Sequence, residues 1–147
     1  MKYIAVVEMA KGEMKRIHKA FDGSDFIDLG PIKDIIPINN GAIPVDYGYI
    51  KNTLNKEEGD EVDVLIFTEQ KLKTGDEVEI TVIGMLDKED GDHKIIAVDD
   101  KSDIEKISDI SKEKWNLVEE FFSHKSPIVE ILDKNSALEY LQSTNIL

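Results

Sequence analysis

Glu77-Val78-Glu79-Ile80-Thr81-Val82-Ile83-Gly84-Met85-Leu86 runs into Asp87-Lys88-Glu89-Asp90-Gly91-Asp92-His93, and Lys94-Ile95-Ile96-Ala97-Val98 follows. In the first segment Val78, Ile80 and Val82 alternate with Glu79 and Thr81, the period of a half-buried strand. Asp90-Gly91 is a hairpin signal, so Lys94 to Val98 reads as the returning strand. A hairpin of this kind belongs to an antiparallel sheet.

The sequence around it extends the same architecture. Upstream, Val62 to Phe67 and Tyr3 to Glu8 are short apolar runs suited to strands, and Met14 to His18 is a further candidate. Residues 22–46 carry Gly30-Pro31, Ile36-Pro37 and Ile43-Pro44, which forbid a long helix and predict short strands joined by turns. Downstream the period changes. Ser111 is placed to cap a helix, and Trp115, Val118, Phe121 and Phe122 form one apolar face at helical spacing, as core packing requires. Val129 to Leu132 predicts a short strand, and Asn135 a cap for a final helix, Ser136 to Leu141. The expected class is mostly β with some α (α+β). It is a single domain over 1–147, a small, mostly antiparallel barrel with about two helices added late.

Charge and composition exclude several functions. There are 31 acidic and 18 basic residues, a net charge of −13, which argues against nucleic acid or an anionic membrane as partner. Either the acids serve solubility or some of them gather to hold cations. With no cysteine there is no disulfide, zinc thiolate or thiol nucleophile. Arg16 is the one arginine, so a site built from several guanidinium clamps is excluded and lysines must act as point charges. The N-terminal apolar run, Ile4 to Val7, is too short for a secretory leader, and no run is long enough to span a membrane. A reducing cytoplasm is the expected location.

The carboxylates carry more information. In Glu58-Gly59-Asp60-Glu61-Val62-Asp63-Val64, Asp63 interrupts an apolar strand. A half-buried carboxylate there needs a cation or several donors, although a solvated acidic turn opening an edge strand has the same letters. Asp87 through Asp92 to Lys94 is either a polar hairpin tip or two carboxylates at the ends of paired strands beside a lysine. Oxygen-only ligands would favour Mg²⁺ or Mn²⁺ over zinc, and a lysine there would suit a phosphate oxygen. In Pro44-Val45-Asp46-Tyr47-Gly48-Tyr49, a tyrosine next to glycine can present its hydroxyl to a cleft. His18, His93 and His124 each stand alone in the sequence. Phosphate-loop, dinucleotide, zinc-protease and serine-hydrolase motifs are absent.

In this order, the segments Val6-Val7-Glu8, Lys15, Pro44 to Ile50, Glu58 to Leu65 and Asp87 to Val98 resemble the soluble class I inorganic pyrophosphatases. A looser echo lies at Phe121-Phe122-Ser123-His124-Lys125. The resemblance implies an OB-like closed five-stranded barrel with flanking helices, cytoplasmic and homo-oligomeric. It would hydrolyse pyrophosphate with Mg²⁺ (Mn²⁺ possible) and use neither nucleic acid nor membrane. By matching position, Glu8, Glu58, Asp63, Asp87 and Asp92 would be metal ligands. Asp60 would orient or deprotonate the attacking water. Lys15, Tyr47, Lys94 and Lys125 would contact phosphate, with Tyr47 and Lys94 also serving catalysis.

The family pattern is kept unevenly. A glutamate expected two residues after Lys15 is Ile17. The expected arginine falls at Ile35, with Lys33 as the nearest cation to replace it. A tyrosine before Pro44 is Ile43. Carboxylates and water-activating positions are nearly complete, whereas the phosphate-clamping positions are eroded. Two alternatives remain at this level: the same fold acting on another phosphoanhydride or inactive, and a non-enzymatic OB-type binding module. Ile35, Ile36, Ile38 and Ile43 suit either a subunit interface or the core.

Overall fold

The backbone pairs its strands around one closed sheet; the computed structural model describes residues 2–20 and 22–146. Among them run the strands β1 (Tyr3–Met9), β2 (Lys15–Lys19), β3 (Phe26–Pro31), β4 (Asp46–Ile50), β5 (Asp63–Phe67), β6 (Glu77–Lys88) and β7 (Lys94–Asp99). Helix α1 (Lys112–Ser123), strand β8 (Ile128–Asp133) and helix α2 (Lys134–Thr144) complete the chain. The order β1-β4-β5-β7-β6, with β6 paired back to β1, closes a five-stranded barrel, and β8 lies outside on β6. The expected class is therefore the observed one. β2 and β3 form a separate two-stranded sheet.

Closure depends on the length of β6. Its first part, Glu77 to Ile80, pairs with β1, and its second part, Gly84 to Lys88, pairs with β8. Between the two, the register against β7 shifts from Val82 to Gly84. Such a bulge adds a residue and reverses which side chains face inward. Val78, Ile80 and Val82 face the barrel interior before it, and Met85 does so after it. On β4, Gly48 lets two strands meet: a Cβ there would sit 1.8 Å from the Val6 carbonyl oxygen.

The interior cluster draws on all five barrel strands, with Ala5, Ile50, Val64, Val82 and Ile95 fully or nearly fully buried, and Leu141 of α2 joins it. A second cluster lies outside β5, β6 and β7. There Leu65, Leu86 and Ile96 pack against Val118, Phe121 and Phe122 of α1. β5 and β7 are thus covered on both faces. They also pair in parallel, Asp63 opposite Lys94 through Phe67 opposite Val98. Strands covered on both sides read as continuous apolar runs rather than alternations, which is how Val64-Leu65-Ile66-Phe67 and Ile95-Ile96-Ala97-Val98 read.

Residues 22–46 contain one strand, β3, followed by two short 3₁₀ turns, Ile32–Asp34 and Ile38–Gly41. Ser111 caps α1 as expected, accepting from the Lys114 N–H at 3.3 Å. The cap of α2 differs from expectation: Asp133, the last residue of β8, accepts from the Ser136 N–H at 3.0 Å. Asn135 lies already inside the first turn, because Asp133 leaves the strand extended and its short side chain reaches the third helical N–H. Asp133→Ala should therefore lower the urea midpoint of unfolding, and Asn135→Ala should leave it in place; the reverse pattern would move the cap back to Asn135.

Candidate active site

The parallel register sets Asp63, first residue of β5, beside Lys94, first residue of β7. Alternation then puts Asp63 with Leu65, and Lys94 with Ile96, on the outer face toward α1. Tyr47 of β4 pairs opposite Leu65 and joins the same face. The side chains meet. Lys94 Nζ lies 2.7 Å from Asp63 Oδ2, 2.9 Å from Asp92 Oδ2 and 2.9 Å from the Tyr47 hydroxyl. The Tyr47 hydroxyl donates to Asp63 Oδ2 at 2.8 Å. Behind this group the Tyr47 ring stacks on Phe122 with centroids 5.7 Å apart and planes 7° from parallel.

Electrostatics at this cluster are unbalanced. Burial pushes the Asp63 carboxyl up to about 7, against the pull of the Lys94 ammonium, and the neighbouring Asp92 charge adds to the rise. Asp92 is held below the usual range: burial opposes this, but Lys94 and a hydrogen bond from Asp63 outweigh it. Below about pH 7 the two carboxyl groups thus hold one proton between them, on Asp63. Burial likewise works against the Lys94 charge, yet Asp63, Tyr47 and Asp92 hold it well above the ordinary lysine value. Glu58 is raised by burial and by the charges of Asp92 and Asp90. One ammonium is too little positive charge for this many acids.

A second group lies nearby. His18 Nδ1 is 2.6 Å from the Lys19 carbonyl oxygen, so that nitrogen carries the proton. Its Nε2 is 3.5 Å from Asp60 Oδ2. Asp60 also accepts from the Glu61 N–H at 2.8 Å. Its carboxyl is lowered overall: burial opposes, and hydrogen bonds with Glu61 and the charges of Lys19 and His18 prevail. Buried Glu8 accepts from the Lys19 N–H at 2.8 Å and stands 3.8 Å from His18 Nδ1. The Lys19 ammonium pairs with Glu61.

Both groups border one cavity of about 380 Å³. One wall is polar, with Tyr47, Glu58, Asp60, Asp63, Asp92 and Lys94, and Lys125 also lines it. The other is mainly aliphatic, with Ile17, Ile32, Ile35, Ile36 and Ile43, and with Arg16 and His18 on either side of Ile17.

A sequence model described as inorganic pyrophosphatase matches residues 5–144. The chain belongs to the inorganic pyrophosphatase family. An inorganic pyrophosphatase of Nanoarchaeum equitans is 39% identical over 133 residues, covering 83% of this chain and 77% of that protein. One of Sulfolobus acidocaldarius is 40% identical over 90 residues, 55% of this chain and 51% of that protein. The chain thus spans about half the length of this relative. Among solved structures, the inorganic pyrophosphatase of Neisseria gonorrhoeae superimposes with a TM-score of 0.83 at 26% identity, over 96% of this chain and 87% of that one. That of Thermus thermophilus gives 0.84 at 24% identity, over 97% and 88%, and shows the shared fold.

Of the positions carried over from the pyrophosphatase pattern, Glu58, Asp60, Asp63, Asp92, Tyr47, Lys94 and Lys125 meet at the cavity. Three do not line it. Asp87 pairs opposite Glu130 of β8 and lies 3.2 Å from His93 Nδ1, so it faces away. The bulge in β6 is the reason: it gives the outer, cavity side to Lys88 and leaves Asp87 on the side of Met85. Glu8 stands off the wall, next to His18. Lys15 is exposed in an ion pair with Asp28 at 3.6 Å, while its neighbour Arg16 lines the cavity. Lys33 donates to Asn40 Oδ1 at 2.9 Å and also lies off the wall. Ile35 and Ile43, open between interface and core, prove to be cavity wall, and Ile43 is buried as well.

His18, Lys88 and Asp90 line the cavity without a signal in the sequence. Lys88 is buried against the Phe122 carbonyl oxygen, and burial and the nearby Lys94 charge lower its pKa. His18 and His93 are not isolated after all: His18 faces Asp60 from a distant segment, and His93 faces Asp87 across its own hairpin.

The raised Asp63 carboxyl gives a prediction for this pyrophosphatase-family chain. Its folded value of about 7 exceeds its ordinary 3.8, so the stability it contributes is present below about pH 4 and lost as pH rises through 7. With divalent ions chelated, Asp63→Asn should therefore gain roughly 2–4 kcal/mol relative to the native chain between about pH 5 and pH 8. Denaturant titrations at both pH values read it. A difference independent of pH would mean that Asp63 is ionised throughout.

Proposed function

We propose that the chain hydrolyses inorganic pyrophosphate to two phosphates with the help of a divalent cation. The observation that carries this is the Tyr47–Asp63–Asp92–Lys94 cluster facing the same cavity as Asp60. It sets phosphate-binding donors and an excess of carboxylate oxygen around one small space. Among the described residues, no three His, Asp or Glu side chains stand close enough together to hold an ion. The donor chemistry nonetheless fits a hard cation. Glu58, Asp63 and Asp92 offer only oxygen, and their raised or shared protons mark a deficit of positive charge that a dication would fill. Mg²⁺ suits this set, and Mn²⁺ would be accepted.

When bound, such an ion lowers the pKa of its water and offsets phosphate charge. The chain's own residues do the rest. Lys94 and Tyr47 are fixed donors for phosphoryl oxygens, aimed by their mutual hydrogen bond and by the stack on Phe122. Asp60, held ionised, accepts the proton of the attacking water. Lys125 and buried Lys88 add positive charge at the same wall. The acidic surface keeps nucleic acid away, and the exposed Val129 and Ile131 on edge strand β8 suit contact with a second copy in a homo-oligomer.

Phosphate release from pyrophosphate in the presence of Mg²⁺ or Mn²⁺ is the test. Release that stops on chelation supports the proposal; no release with either ion ends it.

A further inference from the structure

The cavity has two chemically different walls, and inorganic pyrophosphate can use only one of them. Around Lys94 the wall is charged. Away from it, Ile17 of β2, Leu29 of β3 and Ile32, Ile35, Ile36 and Ile43 of the segment between β3 and β4 present aliphatic carbon. This wall is reachable: Leu29 is 47% exposed, and Ile17, Ile35 and Ile36 are half-buried. A small polyanion would leave it wet, with apolar surface unused in a cavity of about 380 Å³, within the range of small-molecule sites. Wet aliphatic wall next to a phosphate site is matched by a ligand that carries both kinds of surface.

We propose that the cavity also accepts diphosphate monoesters of aliphatic alcohols, with the diphosphate on the Lys94 wall and the alkyl chain along the isoleucine wall. This rests on the phosphoanhydride chemistry proposed above and deepens it. In the reaction, a water oxygen bonds to the terminal phosphorus and the bond from that phosphorus to the bridging oxygen breaks. The electron pair leaves with the alkyl monophosphate, and the water proton passes to the Asp60 carboxylate. The products are inorganic phosphate and alkyl monophosphate; nothing is oxidised or reduced. Because the alkyl group rides on the leaving phosphate, it touches the isoleucine wall in ground and transition states without entering the reacting centre.

The cations arrange themselves accordingly. The position where family resemblance expects an arginine, Ile35, is on the aliphatic wall. Lys88, Lys94 and Lys125 line the same cavity. Three of the four cations lining the cavity are these lysines, and Arg16, beside Ile17 on β2, is the fourth; the lysine end takes the diphosphate and leaves the isoleucines to the apolar end.

The test uses the full chain with Mg²⁺, inorganic pyrophosphate and a series of n-alkyl diphosphates from methyl to octyl. kcat/KM should rise with chain length, about three- to fourfold per methylene, until the wall is covered. Ile36→Ser should lower the octyl-to-inorganic ratio at least tenfold, whatever happens to absolute rates. If pyrophosphate is cleaved while the series is flat or falling, this inference is overturned and the proposed function stands. That flat result is also what a second copy of the chain covering the wall would give. If neither inorganic nor alkyl substrate is cleaved, the proposed function fails and this inference with it.

Discussion

Replacing Lys94 with Met is expected to lower the rate of pyrophosphate hydrolysis by about 10³-fold or more and the stability at neutral pH by about 3–5 kcal/mol. The ammonium is nearly fully buried, and its three partners are Asp63, Asp92 and the Tyr47 hydroxyl. Methionine fills its volume but supplies no charge. Asp63 and Asp92 are then buried without a cation, and Tyr47 loses the donor that orients it. The stability loss should grow with pH, since at acid pH the shared proton already removes one of the two charges. Adding Asp63→Asn to Lys94→Met should restore much of the stability and none of the rate. Restoration of both would show that Lys94 acts only as a structural counter-ion; an unchanged rate in the single variant would remove it from the mechanism altogether.

Asp60→Asn is the second large effect. The side chains are nearly isosteric, and the amide oxygen can still accept from the Glu61 N–H as Asp60 does at 2.8 Å. Folding should change by less than about 1 kcal/mol, as a surface-adjacent, space-conserving change does. The rate should fall by about 10²–10⁴-fold at saturating substrate, the usual worth of a positioned general base. KM should move far less, because Asp60 is assigned a proton rather than a phosphate oxygen. A fall of less than tenfold in kcat would assign the proton to another group.

The barrel was legible because its strands obey a period of two and its turns carry Gly and Pro at the positions that need them. Val78, Ile80 and Val82 announce β6, and Asp90-Gly91 announces the turn that follows. What the letters hide is where that period breaks. Carried unbroken past Val82, alternation would place Asp87 on the side of Ile83; the register shift before Gly84 hands that side to Lys88. A bulge depends on which strand pairs on each side, and those partners, β1, β7 and β8, lie far away in sequence. The same holds for His18. Nothing near it in the chain marks it, and Asp60 reaches it only because β2 packs back against β1, with the Lys19 N–H bonded to Glu8. Asp63 and Lys94 were readable as chemistry, a charge in an apolar run and a lysine after a turn. Their direct contact follows from parallel pairing, which continuous apolar runs in β5 and β7 hint at but do not assign.

That parallel pair also sets when the site can exist. Asp63 and Lys94 meet only when the chain between them, residues 64–93, has looped back to bring β7 parallel beside β5. Contacts of such sequence separation form late, after the entropic cost of closing the loop has been met. Partly folded chains with β4 and β5 in place would hold Tyr47 near Asp63 yet have no ammonium between the carboxylates. Competence is therefore tied to that long-range parallel pairing, which completes the charge pair on which the proposed turnover depends.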